Sequence, residues 1–213
     1  MLQWVLASGN AGKLREFNRL FAPHGIEWVP QGQLGVSEAE EPHCTFLENA
    51  LAKARHASQV TGLPALADDS GLCVPALQGA PGVLSARYAT RFGLEKTDAN
   101  NNTALLRALE HETRREAFFV CALVWVVHAQ DPTPVVAQAF WQGHILRQAQ
   151  GQGGFGYDPL FWVAEHQHTA ASMPSALKNQ CSHRAQATAV LLHALAQRLA
   201  WPALPGSHTL HTP

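Results

Sequence analysis

The chain has 213 residues, of which 46% are hydrophobic and 15% are charged, with a formal net charge of −1. A chain of this length can bury a substantial core in one domain, and its charge balance lacks the basic excess of a nucleic-acid-binding protein. The longest apolar run, residues 118–127, has about half the length that a bilayer-spanning helix requires. We therefore expect a globular protein that binds neither nucleic acid nor a membrane.

The four cysteines are far apart, form no CxxC pair and lie mostly in or beside apolar segments. They are expected to be reduced packing residues, which favours a cytoplasmic location. The first residues lack the basic segment of a signal peptide. We predict one domain over residues 1–200, followed by a polar tail with several prolines over residues 201–213.

The first predicted elements are a strand beginning at Val5 and a helix over residues 11–22, joined by a glycine-bearing turn. Backbone N–H groups at a helix N-terminus lack intrahelical partners, so this turn is a candidate phosphate site. It is not a complete P-loop, because Ala7 replaces the first glycine and Leu14 the metal-binding Ser or Thr. Steric needs alone also place glycines in such turns. The candidate residues are Ser8, Gly9, Asn10, Ala11, Gly12 and Lys13.

A second strand is predicted over residues 25–29, and a capping box from Thr45 to Glu48 predicts a helix that ends near Val60. Lys53 lies on this helix. It either reaches a functional site or is an ordinary solvated lysine.

Asp68 and Asp69 follow an apolar stretch and precede Gly71. We expect the strand to end there, which would place two carboxylates at the sheet edge where open α/β proteins bind ligands. Magnesium takes hard oxygen ligands, often only one or two of them protein carboxylates, so Asp69 could bind it and polarise a water. The alternative is an ordinary polar turn.

The second half of the chain predicts a loop with a short helix over residues 75–91 and a helix over residues 97–111. Two strands, residues 117–128 and 135–142, are then separated by a proline-bearing turn, and a helix over residues 184–199 closes the domain. A hairpin within an alternating chain predicts a mixed sheet in an α/β fold.

A second glycine cluster, residues 151–159, carries Phe155, which offers a stacking face for a nucleobase. The alternative is a hairpin loop whose aromatic side chains cover the core. Lys178, His183 and Arg184 bring several hydrogen-bond donors near the start of the closing helix, where they suit carbonyl or phosphate oxygens.

Taken in order, the motifs SGNAGK, AEE, FLENALAKA, ADDSGL, GAPG, SARY, GGFGYDP and SHR closely resemble the inosine triphosphate pyrophosphatase family, over residues 2–199. The resemblance implies an elongated mixed β-sheet flanked by helices, with two lobes and a central substrate cleft. It also implies a magnesium-dependent cytosolic homodimer that hydrolyses dITP, ITP and XTP to the monophosphate and pyrophosphate.

The resemblance also implies residue roles. Residues 8–13 would cradle the phosphates with help from Lys53, and Ser8 keeps the hydroxyl of the commoner Thr. Glu41 and Asp69 would hold Mg²⁺, with Asp69 as general base supported by Asp68. The implied substrate contacts are Ser70, Phe155, Gly156, Tyr157, Asp158, Lys178, His183 and Arg184.

Two other functions deserve comparison. A Maf-like nucleotide pyrophosphatase would share the reaction with a different base preference. A non-catalytic nucleotide sensor would keep the glycine turns but would not need Glu41, Asp68 and Asp69. The 12 histidines raise a third possibility, a zinc protein, but their spacing matches no closed zinc site.

Overall fold

The computed structural model describes residues 3–199; the tail predicted for residues 201–213 lies outside them. Within the described range, one mixed sheet carries the fold, as the sequence predicts. Its strands are β1 (Trp4–Ala7), β2 (Trp28–Pro30), β3 (Ala65–Cys73), β4 (Glu116–Val126), β5 (Val135–Ile145), β6 (Phe161–Val163) and β7 (His168–Thr169).

The strand order is β2-β1-β3-β4-β5-β6-β7. β1 is parallel to both β2 and β3, whereas every later pair is antiparallel. The parallel pairs follow from the helical crossovers in the first third of the chain, and the antiparallel pairs follow from the hairpin between β4 and β5. The helices are α1 (Ala11–Phe21), α2 (Phe46–Thr61), α3 (Asp98–Ala108), α4 (Ser175–Cys181) and α5 (His183–Leu199).

The capping box that predicts α2 is confirmed. The Thr45 hydroxyl accepts the Glu48 N–H at 3.2 Å and donates to the Glu48 carboxylate at 2.6 Å. The helix ends at Thr61, and its C-cap Gly62 has a left-handed φ of 69° that favours glycine. No helix among residues 3–199 is long and apolar enough to cross a membrane.

Several element boundaries differ from the predictions. The second strand begins only at Trp28 and not at Gly25, which caps the 3₁₀ turn Ala22–His24 with a left-handed φ of 64°. Residues 75–92 contain two 3₁₀ segments, Pro75–Leu77 and Gly82–Phe92. β6, β7 and α4 were not predicted, because these short pieces carry too few residues for a hydrophobic period to show.

The strand predicted to end before Asp68 instead continues to Cys73. Antiparallel pairing with β4 holds it extended, with Asp69 opposite Ala122. Gly71 makes no turn. It allows close packing, since a Cβ there would lie 2.8 Å from the carbonyl oxygen of Gly82 and 2.9 Å from the Phe46 ring.

The core divides at this polar stretch of β3. On one side, Leu66 packs into a cluster with α1 and α5, and Ala67 packs into another with α2. On the other side, Leu72 belongs to a third cluster with α3, β6 and part of β5. Residues 68–71 therefore cross the boundary between two lobes, and a cleft opens there.

Candidate active site

The cleft between the lobes is a cavity of about 600 Å³. It collects most of the residues that the sequence singles out, from both glycine clusters and from β3, α2 and α5. Those lining it are Ser8, Gly9, Asn10, Lys13, Glu41, Lys53, Asp68, Asp69, Ser70, Phe155, Gly156, Tyr157, Asp158, His183 and Arg184. Of the other predicted residues, Ala11 begins α1, Gly12 lies against Phe155, and Lys178 contacts Asp158.

Asp68 and Asp69 point to opposite faces of the sheet, because successive side chains of a strand alternate. Asp68 shares the face of Leu66, where it forms an ion pair with Lys13 of α1. Its second oxygen lies 3.7 Å from Nε of Arg184 and accepts a hydrogen bond from the Cys121 thiol at 3.1 Å. The prediction that the two carboxylates lie side by side in a turn is therefore wrong. Each acid lies in a separate environment, on its own face of the sheet.

Asp69 shares the face of Ala67, beneath α2. Its Oδ1 lies 3.1 Å from Nζ of Lys53, and its Oδ2 accepts a hydrogen bond from Asn49 at 3.3 Å. The same Lys53 ammonium lies 2.7 Å from Glu41, whose other oxygen accepts a hydrogen bond from Arg87 at 3.1 Å. Glu41 and Asp69 thus converge on one cation.

These surroundings shift the pKa values of the two acids in opposite directions. Burial would raise the pKa of Asp68, but the positive charges of Lys13 and Arg184 hold it well below its usual range. Burial raises the pKa of Asp69, and the opposing charge of Lys53 does not reverse that shift. Asp68 is therefore a fixed anion, whereas Asp69 is the better proton acceptor of the two.

The phosphate turn is organised by Asn10. Its side-chain oxygen caps α1 by accepting the N–H groups of Gly12 at 2.9 Å and Lys13 at 3.1 Å, so these two donors already have a partner. The Asn10 N–H in turn donates to the Ser8 hydroxyl at 3.2 Å. Ser8, Gly9 and the Lys13 ammonium are the parts of the turn best placed to meet an anion in the cavity.

Phe155 joins the phosphate turn to the closing helices. A Cβ on Gly12 would lie 2.9 Å from the Phe155 ring, so this glycine lets the ring rest on the first turn of α1. The Arg184 guanidinium lies 5.3 Å from the ring centroid and the Lys178 ammonium 5.4 Å from it. These cation–π contacts fix the ring in a positively charged setting.

A buried ionic cluster holds these cations in place. Glu16 of α1 accepts from Lys178 at 3.0 Å and from Arg184 at 2.8 Å. Arg184 also donates to the Ser70 hydroxyl at 2.8 Å, and Lys178 lies 2.7 Å from Asp158. Lys178 thus orders the loop that carries Phe155, because Asp158 accepts the Phe155 N–H at 2.9 Å.

His183 is almost fully buried, with its ring parallel to that of Phe119 at 4.8 Å between centroids. Burial lowers its pKa well below the usual value, and the neighbouring Arg184 and Lys178 charges add to the shift. The imidazole is therefore neutral. Its Nδ1 is buried and has no hydrogen-bond partner among residues 3–199, although other atoms of His183 line the cavity.

Tyr157 and Gly156 are anchored to the opposite wall of the cleft. The Tyr157 hydroxyl donates to the carbonyl of Ser85 at 2.9 Å, and the Gly156 N–H donates to Asp98 at 2.7 Å. Asn102 donates to the Gly156 carbonyl at 2.9 Å. Tyr157 packs in the core, as the hairpin-loop alternative expects, whereas Phe155 lines the cavity and its stacking on a nucleobase stays a prediction.

Sequence reasoning missed four residues that organise the site: Glu16, Asn49, Arg87 and Cys121. Glu16 lies one helical turn beyond Lys13, so its spacing could have placed it on the same face of α1. Asn49 follows the capping Glu48, and a polar residue on the buried face of a helix is a usable signal. Cys121 and Arg87 reach the site only through strand pairing and a 3₁₀ bend, which the sequence alone does not show.

The carboxylates around Lys53 could bind a divalent cation through their oxygens. No group of three His, Cys, Asp or Glu side chains within residues 3–199 has the arrangement of a metal site. Magnesium needs fewer protein ligands than that, usually one or two carboxylates besides substrate phosphates. Glu41 and Asp69, which already converge on the Lys53 ammonium, are the donor pair that fits it.

The sequence profile of the Ham1 family matches residues 4–194 of this chain. A curated dITP/XTP pyrophosphatase of Burkholderia pseudomallei is 58% identical over 193 residues, which cover 91% of this chain and 93% of the relative. A protein of the same name from Bordetella pertussis is 59% identical over 191 residues, covering 90% of each chain.

Solved structures give the same result. A HAM1 protein from Coxiella burnetii has a TM-score of 0.85 at 46% identity, covering 92% of this chain and 100% of its own. The Ham1 protein of Staphylococcus aureus has a TM-score of 0.80 at 36% identity, with 92% and 99% covered. These similarities confirm the resemblance drawn from the motifs: the chain belongs to the Ham1 family.

Proposed function

We propose that this chain hydrolyses the non-canonical purine nucleotides dITP, ITP and XTP to the monophosphate and pyrophosphate, and so cleanses the nucleotide pool. The observation that carries the proposal is Asp69, a buried carboxylate with a raised pKa that lies beside Lys53 and Glu41 in the inter-lobe cavity. The names of the curated relatives, dITP/XTP pyrophosphatase, support the substrate class.

In this proposal Glu41 and Asp69 hold Mg²⁺, which when bound supplies charge neutralisation for the phosphates and lowers the pKa of a water. Asp69 accepts the proton of the attacking water. The water oxygen bonds to phosphorus as the bond to the pyrophosphate oxygen breaks, so no covalent enzyme intermediate is needed. The chain's part is to position the groups and to neutralise charge.

Lys13 and Lys53 are the cations for the triphosphate. Both are paired with carboxylates, Lys13 with Asp68 and Lys53 with Asp69 and Glu41. These pairings hold the ammonium groups at the cavity wall before substrate arrives, which reduces the ordering that binding requires. Ser8, Gly9 and Asn10 complete this end of the cleft.

The base is proposed to lie against residues 155–158, His183 and Arg184, which border the phosphate turn through Phe155. Hypoxanthine and xanthine present an oxygen at position 6, where adenine presents an amino group. Arg184 carries only donors, so adenine would bring donor against donor and leave buried groups unpaired. His183, whose imidazole is neutral, lines the same part of the cavity.

The reaction is tested by incubating the full chain with ITP, with and without Mg²⁺, and analysing the phosphorus products. We expect inosine monophosphate and pyrophosphate in equal amounts, and no turnover when the metal is chelated. Release of inorganic phosphate with a diphosphate nucleotide, or turnover that is unaffected by chelation, would contradict the proposal.

Replacing Arg184 by Ala should lower kcat/KM for ITP and XTP, which corresponds to a loss of about 1 to 3 kcal/mol in transition-state stabilisation. The value for ATP, which is already low, should hardly change. The guanidinium is the donor-only group beside Phe155, so its loss removes the favourable partner of the 6-oxo group. Steady-state kinetics on the two substrates measure the change. An equal fall for ITP and ATP would assign Arg184 to phosphate binding or to structure instead.

We also propose a cytoplasmic homodimer. All four cysteines are unpaired thiols, which suits a reducing compartment.

The outer side of β5 exposes Phe140 by 48% and Val136 by 43%, and the Phe118 ring lies 5.7 Å from that of Phe140. An apolar patch on a sheet face is typical of a subunit interface.

Phe140→Asp is expected to convert the dimer to a monomer, because the charge would be buried unpaired in the interface. Light scattering measures the mass, and thermal unfolding of the dilute protein serves as the folding control. A wild-type chain that is monomeric at micromolar concentration, or a variant that stays dimeric, would contradict this interface.

A further inference from the structure

Asn49 lies in the first turn of α2 and is 1% exposed. Its side-chain oxygen accepts the N–H of His43 at 3.1 Å. Its side-chain nitrogen donates to the carbonyl of His43 at 3.3 Å and to Oδ2 of Asp69 at 3.3 Å. One buried amide therefore connects β3 to the segment just after Glu41.

The orientation of this amide is determined by its partners. The His43 N–H can only donate, so the Asn49 oxygen must face it, and the nitrogen must then face the His43 carbonyl and the Asp69 carboxylate. The flipped amide would place two acceptors together at Asp69 and two donors together at the His43 N–H. Asn49 is consequently a donor to Asp69.

This bond makes the two oxygens of Asp69 unequal. Oδ2 is occupied by the Asn49 amide, whereas Oδ1 lies 3.1 Å from the Lys53 ammonium that Glu41 also contacts at 2.7 Å. Because Glu41 is two residues before His43, the same amide that sets the rotation of the Asp69 carboxylate also fixes the backbone that carries Glu41.

We propose that Asn49 is a positioning residue. It keeps Oδ1 of Asp69 and the carboxylate of Glu41 directed at one point, where both contact the Lys53 ammonium and where a divalent cation would bind, and it leaves Oδ1 as the working oxygen of Asp69. This inference rests on the proposed function. Residues that hydrogen-bond to metal ligands in this way orient the ligand, and their loss commonly costs about 10- to 100-fold in metal affinity or activity.

Asn49→Leu tests the proposal, because Leu has the same branching and number of side-chain heavy atoms as Asn, although it is somewhat larger. It favours helix and removes every hydrogen bond of the amide. Asn101→Leu is the matched control. Asn101 is also buried, accepts the Ala89 N–H at 2.8 Å and donates to the Ala86 carbonyl at 3.2 Å, but it clamps a backbone segment of the other lobe. Asn49→Ala replaces Asn49→Leu if the larger side chain prevents folding.

The deciding readout is Mn²⁺ binding to the full chain without nucleotide, followed by water-proton relaxation. We expect affinity to fall about 10- to 100-fold in Asn49→Leu and to stay within about twofold of wild type in Asn101→Leu. Hydrogen exchange over residues 38–45 should speed up in Asn49→Leu alone, because the His43 N–H loses its acceptor. With nucleotide and saturating metal, kcat should fall more than KM changes.

Mn²⁺ affinity within about twofold of wild type in Asn49→Leu would overturn the proposal, as would an equal loss in Asn101→Leu. A wild-type chain that binds no Mn²⁺ would overturn it as well. Failure of the proposed function would look different, because a wild-type chain that binds Mn²⁺ but does not release pyrophosphate from ITP leaves the metal-binding and exchange measurements intact.

Discussion

Asp69→Asn is expected to reduce kcat for ITP by at least about 100-fold, since general-base catalysis contributes about 10²- to 10⁴-fold. The amide nearly matches the carboxylate in shape, but it neither accepts a proton nor binds Mg²⁺ well. Its oxygen can still face Asn49, which places its nitrogen toward Lys53 and turns an attraction into a repulsion.

The stability of the same variant separates chemistry from folding. A carboxyl whose pKa is raised by burial is less stable ionised in the fold than in the unfolded chain, so it destabilises the fold above its ordinary pKa. Neutralising it by Asp69→Asn should therefore leave the melting temperature at pH 7 unchanged or higher.

Asp68→Asn is the contrasting control. The pKa of Asp68 is lowered, so its ionised form stabilises the fold above the ordinary pKa of an aspartate, and this contribution is lost as the pH falls through the lowered value. The amide would remove the ion-pair partner of Lys13 and one of the two anions beside Arg184, which keeps Glu16, and it should lower the melting temperature. Retention of more than about a tenth of wild-type turnover in Asp69→Asn, with unchanged melting, would remove Asp69 from the general-base role.

Lys13→Ala is expected to lower kcat/KM for ITP, which corresponds to a loss of about 2 to 4 kcal/mol in transition-state stabilisation, because the ammonium meets the charge that develops as pyrophosphate leaves. The affinity for inosine monophosphate should hardly change, because the product lacks the two phosphates that depart. Steady-state kinetics and calorimetric titration of the monophosphate measure the two effects.

Lys13 also neutralises the buried Asp68, so its loss leaves that carboxylate with Arg184 as its nearest cation. Lys13→Arg is the control, since it retains the charge and the ion pair and should recover stability. If product affinity falls as much as kcat/KM, Lys13 is a uniform binding contact and not a group that acts in the transition state.

Local sequence patterns suffice to predict α2 and the mixed sheet. The capping box at Thr45 and the period of α2 predict that helix because both signals lie within a few neighbouring residues. The mixed sheet follows from one hairpin in an alternating chain. The resemblance, carried by ordered motifs, identifies the family because those motifs span nearly the whole sequence.

The predicted placement of Asp68 and Asp69 in a turn was wrong, and the reason is physical. Two adjacent acids with a following glycine are typical of a turn, and only pairing with β4 keeps this segment extended. Once it is a strand, alternation sends the acids to different faces, where Lys13 and Lys53 meet them separately. Long-range pairing of this kind overrides local propensity.

The predicted role of Arg184 shows a second limit. The sequence places a guanidinium at a helix start but cannot reveal Glu16, which comes from the other end of the chain and holds Arg184 at 2.8 Å. Whether a donor faces a substrate or is already engaged depends on such distant partners. The site roles of Arg184 and Lys178 therefore stay predictions, and Arg184→Ala tests the first of them.

The central claim is selectivity for non-canonical purines over adenine, and the most direct measurement is kcat/KM of the wild-type chain for dITP, XTP, ITP and ATP with Mg²⁺. We expect the 6-oxo substrates dITP, XTP and ITP to exceed ATP by about 100-fold or more, as a site with unpaired buried donors would impose on adenine. Cleavage of ATP as readily as ITP would contradict the account.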